Sequence, residues 1–166
     1  MSEQLVETAV ACVSEAGAVL LDYHRKLGTL QIEAKGRFDY VTEADLAAQE
    51  AIVNLIRVRH PDHEVLAEED QRTPGQNVSR WLVDPLDGTT NFIHGFPVFA
   101  VSVAFEHKDS IVLGAVYDPC RKELFLAQEG HGASLNGRII EVSSRRRQNE
   151  ALVATAFPWR ERALLS

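Results

Sequence analysis

From Trp81 to Pro97 the chain reads Trp81-Leu82-Val83-Asp84-Pro85-Leu86-Asp87-Gly88-Thr89-Thr90-Asn91-Phe92-Ile93-His94-Gly95-Phe96-Pro97, and few folds accommodate that order of residue types. Trp81 to Val83 is apolar and β-branched enough for a buried strand. Pro85 has no amide hydrogen to give a ladder, so the strand is expected to end at Asp84. Gly88 permits a tight bend, and Thr89 or Thr90 can cap a short helix that begins there. The carboxylates of Asp84 and Asp87 are thereby expected at the mouth of a strand-to-helix turn, with the Leu86 carbonyl between them. The amides of Gly88 and Thr89 follow at the helix start, where an anion binds well. Hard oxygen donors beside an anion cradle suit magnesium-assisted phosphoryl transfer. The plain alternative is an Asx/Pro turn, which Asp, Pro, Gly and Thr all favour. For Asp-Pro-x-Asp-Gly alone the two readings stand level.

Ahead of this stretch, residues from about Glu3 to His24 carry Val6, Ala9, Val10, Val13, Gly17 and Leu20 at helical spacing and read as a helix. Lys26 to Tyr40 reads as a loop broken by Gly28 and Gly36. Thr42 followed by Asp45 is a capping box in form. It opens a helix whose apolar face runs through Ala44, Ala48, Ala51, Ile52, Leu55 and Ile56, until His60-Pro61 ends it. On these grounds Asp45 need only satisfy a helix start. His63 to Ala67 reads as a strand running into Glu68-Glu69-Asp70, an acidic run that is ordinarily a solvated turn.

Beyond the central stretch, Val98 to His107 is a strand in which Phe99, Val101, Val103 and Phe105 alternate with smaller residues. Both faces are apolar, which predicts a sheet covered on both sides. Further strands are expected over Ile111 to Tyr117 and Glu123 to Ala127. Asn136-Gly137 marks a two-residue hairpin between Ala133–Leu135 and Arg138–Val142. This order is an antiparallel meander rather than a βαβ repeat. Ser143 to Glu150 reads as a solvated polar connection despite its three arginines, and Ala151 to Phe157 as a last strand.

Asp84-Pro85-Leu86-Asp87-Gly88-Thr89-Thr90-Asn91-Phe92, followed by Phe96-Pro97, resembles the signature of the inositol monophosphatase family of magnesium-dependent, lithium-sensitive phosphatases. The later order of a tyrosine-ending strand, Asp118-Pro119, Glu123-Leu124-Phe125 and Leu135-Asn136-Gly137 is similar to that family too. The resemblance implies an α+β fold, with two N-terminal helices packed on a largely antiparallel sheet, as in the first half of the sugar-phosphatase fold. It implies that Glu68, Asp84 and the Leu86 carbonyl hold one Mg2+ and that Asp84 and Asp87 share a second. Thr89, backed by Asp45 and Glu68, would orient the attacking water, and the Gly88 and Thr89 amides would hold phosphate oxygens. Lys35 and Asp39 resemble residues of a mobile loop that closes over the metals. Ala67 stands where the family's Gly-Glu-Glu motif has glycine. Inositol monophosphate is the favoured substrate; bisphosphate nucleotidase or fructose bisphosphatase activity, or a non-catalytic binding role, are the alternatives.

Composition constrains the partners. The net charge of −7 argues against bulk nucleic-acid binding. No apolar run in the sequence suggests a membrane span. Cys12 and Cys120 lie in no metal-like or redox spacing, so a reduced, cytoplasmic setting is expected. The partner expected is a small phosphate ester, with a homodimer left open. Residues 1–166 read as the N-terminal domain of the family, which continues into a second domain carrying a Trp-Asp motif that this sequence lacks. That aspartate completes the second metal site, so the isolated chain is expected to bind one Mg2+ weakly and to turn over poorly. Calorimetric titration with magnesium checks this; two tight sites would contradict it.

Overall fold

The computed structural model describes residues 3–27, 32–36, 39–67 and 78–154, with the backbone path alone for 32–36 and 39–41. In chain order the elements are α1 (Glu3–His24), β1 (Ile32–Gly36), β2 (Asp39–Thr42), α2 (Glu43–Arg59), β3 (Glu64–Ala67), β4 (Ser79–Asp87), α3 (Thr89–Ile93), β5 (Ala100–His107), β6 (Ser110–Asp118), β7 (Glu123–Gln128), β8 (Gly132–Leu135) and β9 (Arg138–Ile140). β3 to β9 form one sheet in sequence order. β3 lies parallel to β4 and every later pairing is antiparallel. The α+β architecture is therefore the one expected.

α1 buries Ala9, Cys12, Val13, Ala16, Gly17 and Leu20; of the expected face, Val6 packs partly buried against this core and Val10 is half-buried. By length and composition α1 could cross a membrane, but here its apolar stripe packs on α2, β5 and β6. α2 in turn lies on β4 and buries Ala44, Ala48, Ile52 and Ile56. The strand alternation has the physical consequence expected of a half-covered sheet. Val101, Val103 and Phe105 are buried in the common core, whereas Ala100, Ser102 and Ala104 are only half-buried. Coverage of both faces is thus not what the described residues show: the small side chains face the more open side.

Two local expectations differ from the structure. The stretch from Lys26 to Tyr40 is not only loop: β1 and β2 form a two-stranded antiparallel sheet, with Lys35 on β1 and Asp39 opening β2. Gly36 pairs with Asp39, so the glycine that signals a loop instead lies within β1. Ala151 to Ala154 pair with no strand and lie exposed, next to a short 3-10 turn at Gln148–Glu150; Thr155 to Phe157 lie outside the described residues. The Asn136-Gly137 hairpin is as expected, with both residues at positive φ (49° and 77°) and Leu135 paired with Arg138.

Gly17 marks a close contact between α1 and the end of β6. A Cβ there would lie 2.7 Å from Tyr117 Cδ1 and 3.3 Å from Pro119 Cβ. Gly17→Ala gains helix propensity of about 1 kcal/mol but forces apart the end of β6 at a cost of roughly 1–3 kcal/mol. A net fall in Tm is expected on thermal unfolding; an unchanged or raised Tm would show that Tyr117 yields freely.

Candidate active site

β4 does not stop at Asp84. It continues to Asp87, and between those residues its register against β5 shifts: Asp84 faces Ser102 and Asp87 faces Ala100. The chain takes one step more on β4 than on β5, which is a β-bulge. A proline needs no ladder partner inside a bulge, so Pro85 is accommodated rather than terminating the strand. The side-chain alternation records the inserted residue. Trp81, Val83 and Pro85 are buried and Leu82 and Asp84 are not; then Leu86 is buried and Asp87 exposed. Asp84 and Asp87 would point to opposite faces of a regular strand. With the extra residue they share the less buried face. Inside the bulge the Leu86 N–H donates to Asp84 Oδ1 at 3.1 Å.

The residue after the bulge, Gly88, has φ +90°, and its carbonyl accepts from Phe92 N–H at 3.0 Å to start α3. Thr89 Oγ1 lies 3.0 Å from the Leu86 carbonyl and 3.5 Å from Asp45 Oδ1. It has one hydrogen, so it donates to one of these oxygens at a time, and the shorter contact favours Leu86. Asp45 is 3 % exposed and is fixed by its own helix start. Its Oδ2 accepts from Thr42 N–H at 2.8 Å and Thr42 Oγ1–H at 2.6 Å, while Thr42 Oγ1 accepts from the Ala44 and Asp45 amides. The capping box thus holds one carboxylate oxygen and leaves the other facing Thr89.

A cleft of about 200 Å³ opens beside the bulge, lined by Asp87, Gly88, Asn91, Ala100 and Asp118 among others. Asn91 Nδ2 donates to the Val98 carbonyl at 2.8 Å, tying α3 to the segment that leads into β5. Asp118 accepts from the Arg121 amide at 2.9 Å and from its guanidinium at 2.7 Å. Neither Asn91 nor Asp118 was anticipated as a site residue. The signal was present for Asp118, since Asp118-Pro119 repeats the Asp84-Pro85 pattern at a strand end.

The profile of the inositol monophosphatase family matches residues 1–166. The chain belongs to the inositol monophosphatase family. The "Nus factor SuhB" of Pseudomonas aeruginosa is 40% identical over 162 residues, covering 96% of this chain and 60% of the relative. The "Inositol-1-monophosphatase" of Rhizobium meliloti is 39% identical over 155 residues, covering 93% and 58%. The crystal structure of the extragenic suppressor protein suhB from Bartonella henselae superposes with a TM-score of 0.83 at 42% identity, covering 86% of this chain and 56% of that one. The chain thus spans under two thirds of the length of these relatives.

Against the family's metal, the described donors are all oxygen: the Asp84 and Asp87 carboxylates on one face and the Leu86 carbonyl, 3.0 Å from Thr89 Oγ1. That set fits a hard divalent cation, although no group of three or more His, Cys, Asp or Glu that could hold a metal occurs among the described residues. Glu68 lies outside them, as do the side chains of Lys35 and Asp39. β3 reaches Ala67 paired with Val83, directly before Glu68 in sequence and one residue before Asp84. A cysteine nucleophile has no support here: burial pushes the Cys12 thiol up to about 12, and burial also raises Cys120.

At Gly88 an added Cβ would meet the Val98 carbonyl oxygen at 3.1 Å. Gly88→Ala is expected to destabilise the protein by about 1–2 kcal/mol through the left-handed conformation alone. Denaturant titration should show a lower midpoint with an unchanged m-value; an unchanged midpoint would mean the turn relaxes without strain.

Proposed function

We propose that the protein carrying this chain hydrolyses a phosphate monoester with Mg2+, inositol monophosphate being the favoured substrate. The observation that carries this reading is the β4 bulge, which sets Asp84 and Asp87 on one face beside the Leu86 carbonyl, within one turn of Thr89. Asp84, the Leu86 carbonyl and Glu68 would hold one Mg2+, and Asp84 with Asp87 a second. The chemistry expected of the ions there is charge neutralisation on the phosphate and acidification of the attacking water.

The chain's own residues supply orientation. Thr89 Oγ1 sends its hydrogen inward, to the Leu86 carbonyl or to Asp45. Its lone pairs are then turned to accept a hydrogen bond from water, so the water's oxygen is presented for attack. Asp45 is held by Thr42 and α2, so this direction is fixed before substrate arrives. The Gly88 and Thr89 amides are assigned to the phosphate oxygens. The cleft edged by Asp87 and Asp118 gives the leaving alcohol hydroxyl-accepting walls, which suits a polyol.

A second reading, binding without turnover, is favoured by the "Nus factor" name of the Pseudomonas relative. Phosphate release from inositol monophosphate, against bisphosphorylated nucleotides and fructose bisphosphate, separates these readings.

Asp84→Asn removes the charge shared by both proposed ions and is expected to abolish turnover while the circular dichroism spectrum stays that of the wild type; near-normal turnover would remove the assignment. Thr89→Ala keeps the amide and loses the hydroxyl, so kcat should fall on the order of 100-fold or more with KM little changed. A raised KM with unchanged kcat would instead make Thr89 a substrate contact.

A further inference from the structure

At the end of the sheet remote from the bulge, two half-buried imidazoles stack face to face. His60, the C-cap of α2, and His63, just before β3, have ring centroids 4.8 Å apart and planes 7° from parallel. His63 also lies over Phe105 at 5.0 Å, and both imidazoles pack on Trp81, at 5.6 and 6.4 Å. The hydrogen bonds determine which nitrogens carry protons. Thr8 gives its hydroxyl hydrogen to the Gln4 carbonyl at 2.8 Å, so it accepts from His60 Nε2–H at 3.0 Å. The Trp81 Nε1–H can only donate, and it meets His63 Nδ1 at 3.1 Å. His63 Nδ1 must therefore be bare, and the charged imidazolium, which carries hydrogen on both nitrogens, would set two donors against each other.

We propose that the His60–His63–Trp81 stack is a proton-sensitive lock. The uncharged imidazole pair holds the end of α2 and the start of β3 against β4 and α1, and protonation of His63 releases it. Three of the four elements joined here, α2, β3 and β4, lead at their other ends to Asp45, Glu68 and Asp84 in sequence. The groups facing the pair are Thr8 and the Gln4 carbonyl from α1, Arg59 and Asp62 beside it in sequence, Trp81 from β4, Phe105 and His107 from β5, and Glu129 after β7, which lines the same cleft as His63 and His107. Burial holds both imidazoles below the ordinary value; His63 and Arg59 add to this for His60, while for His63 Asp62 opposes it and His107 adds to it.

Above the ordinary imidazole value of about 6.5, His63 is neutral both folded and unfolded, and the lock contributes in full. As pH falls below that value the unfolded chain takes up the proton first, so stability is lost with falling pH. In thermal unfolding the wild type is expected to lose roughly 2–4 °C in Tm between about pH 7.5 and about pH 5.5. His63→Gln keeps an oxygen to accept the Trp81 N–H but does not titrate, and should lose less than the wild type over the same interval. NMR titration of the His63 imidazole in the wild type should give a midpoint below about 6.5. A midpoint at or above that value, or a drop in His63→Gln as large as the wild type's, overturns the proposal. If His63→Gln does not fold, the NMR midpoint decides.

Discussion

The site depends on one inserted residue. A regular β4 would send Asp84 and Asp87 to opposite faces of the sheet, one toward the helices and one away. The bulge reverses the alternation between them, so both carboxylates reach the same side. Pro85 suits this arrangement because a bulge leaves a residue without a ladder partner, and a proline has no donor to lose. The hydrogen bond from the Leu86 amide to Asp84 then consumes a polar group that the bulge would otherwise leave unpaired.

Around the bulge, separate elements fix each remaining group by local means. The capping box of α2 spends one oxygen of Asp45 on Thr42 and turns the other to Thr89. Gly88 supplies the left-handed residue that lets the chain turn from β4 into α3, and it lies against the Val98 carbonyl that Asn91 grips from the other side. The site therefore joins local caps and turns to one contact between distant parts of the chain, Thr89 to Asp45, on a frame in which α1 and α2 are pressed on β4, β5 and β6.

What could be foreseen followed the range of the interaction that decides it. The two helices, the capping box at Thr42 and the Asn136-Gly137 hairpin are settled by neighbours in sequence, and they appear where the residue patterns put them. The bulge was missed because the rule that proline ends a strand is a statement about ladders, and whether a ladder can absorb an extra residue depends on the partner strand. The parallel pairing of β3 with β4 is likewise set across the intervening chain, not within it. The β1–β2 hairpin was hidden by Gly28 and Gly36, which mark breaks without saying what they separate. Asp118 reads in the sequence only as a strand terminator, since its place beside Asp87 comes from the antiparallel pairing of β5 and β6.

The central claim is that the bulge gathers oxygen ligands for a divalent cation. It is tested most directly by a crystal structure of the protein soaked in Mn2+, with anomalous scattering used to locate the ion. The account predicts a peak within coordination distance, on the order of 2 Å, of carboxylate oxygens from both Asp84 and Asp87, with the Leu86 carbonyl in the same shell. An ion bound elsewhere, or ligated by one of the two aspartates with the other turned to the opposite face of the sheet, would contradict it.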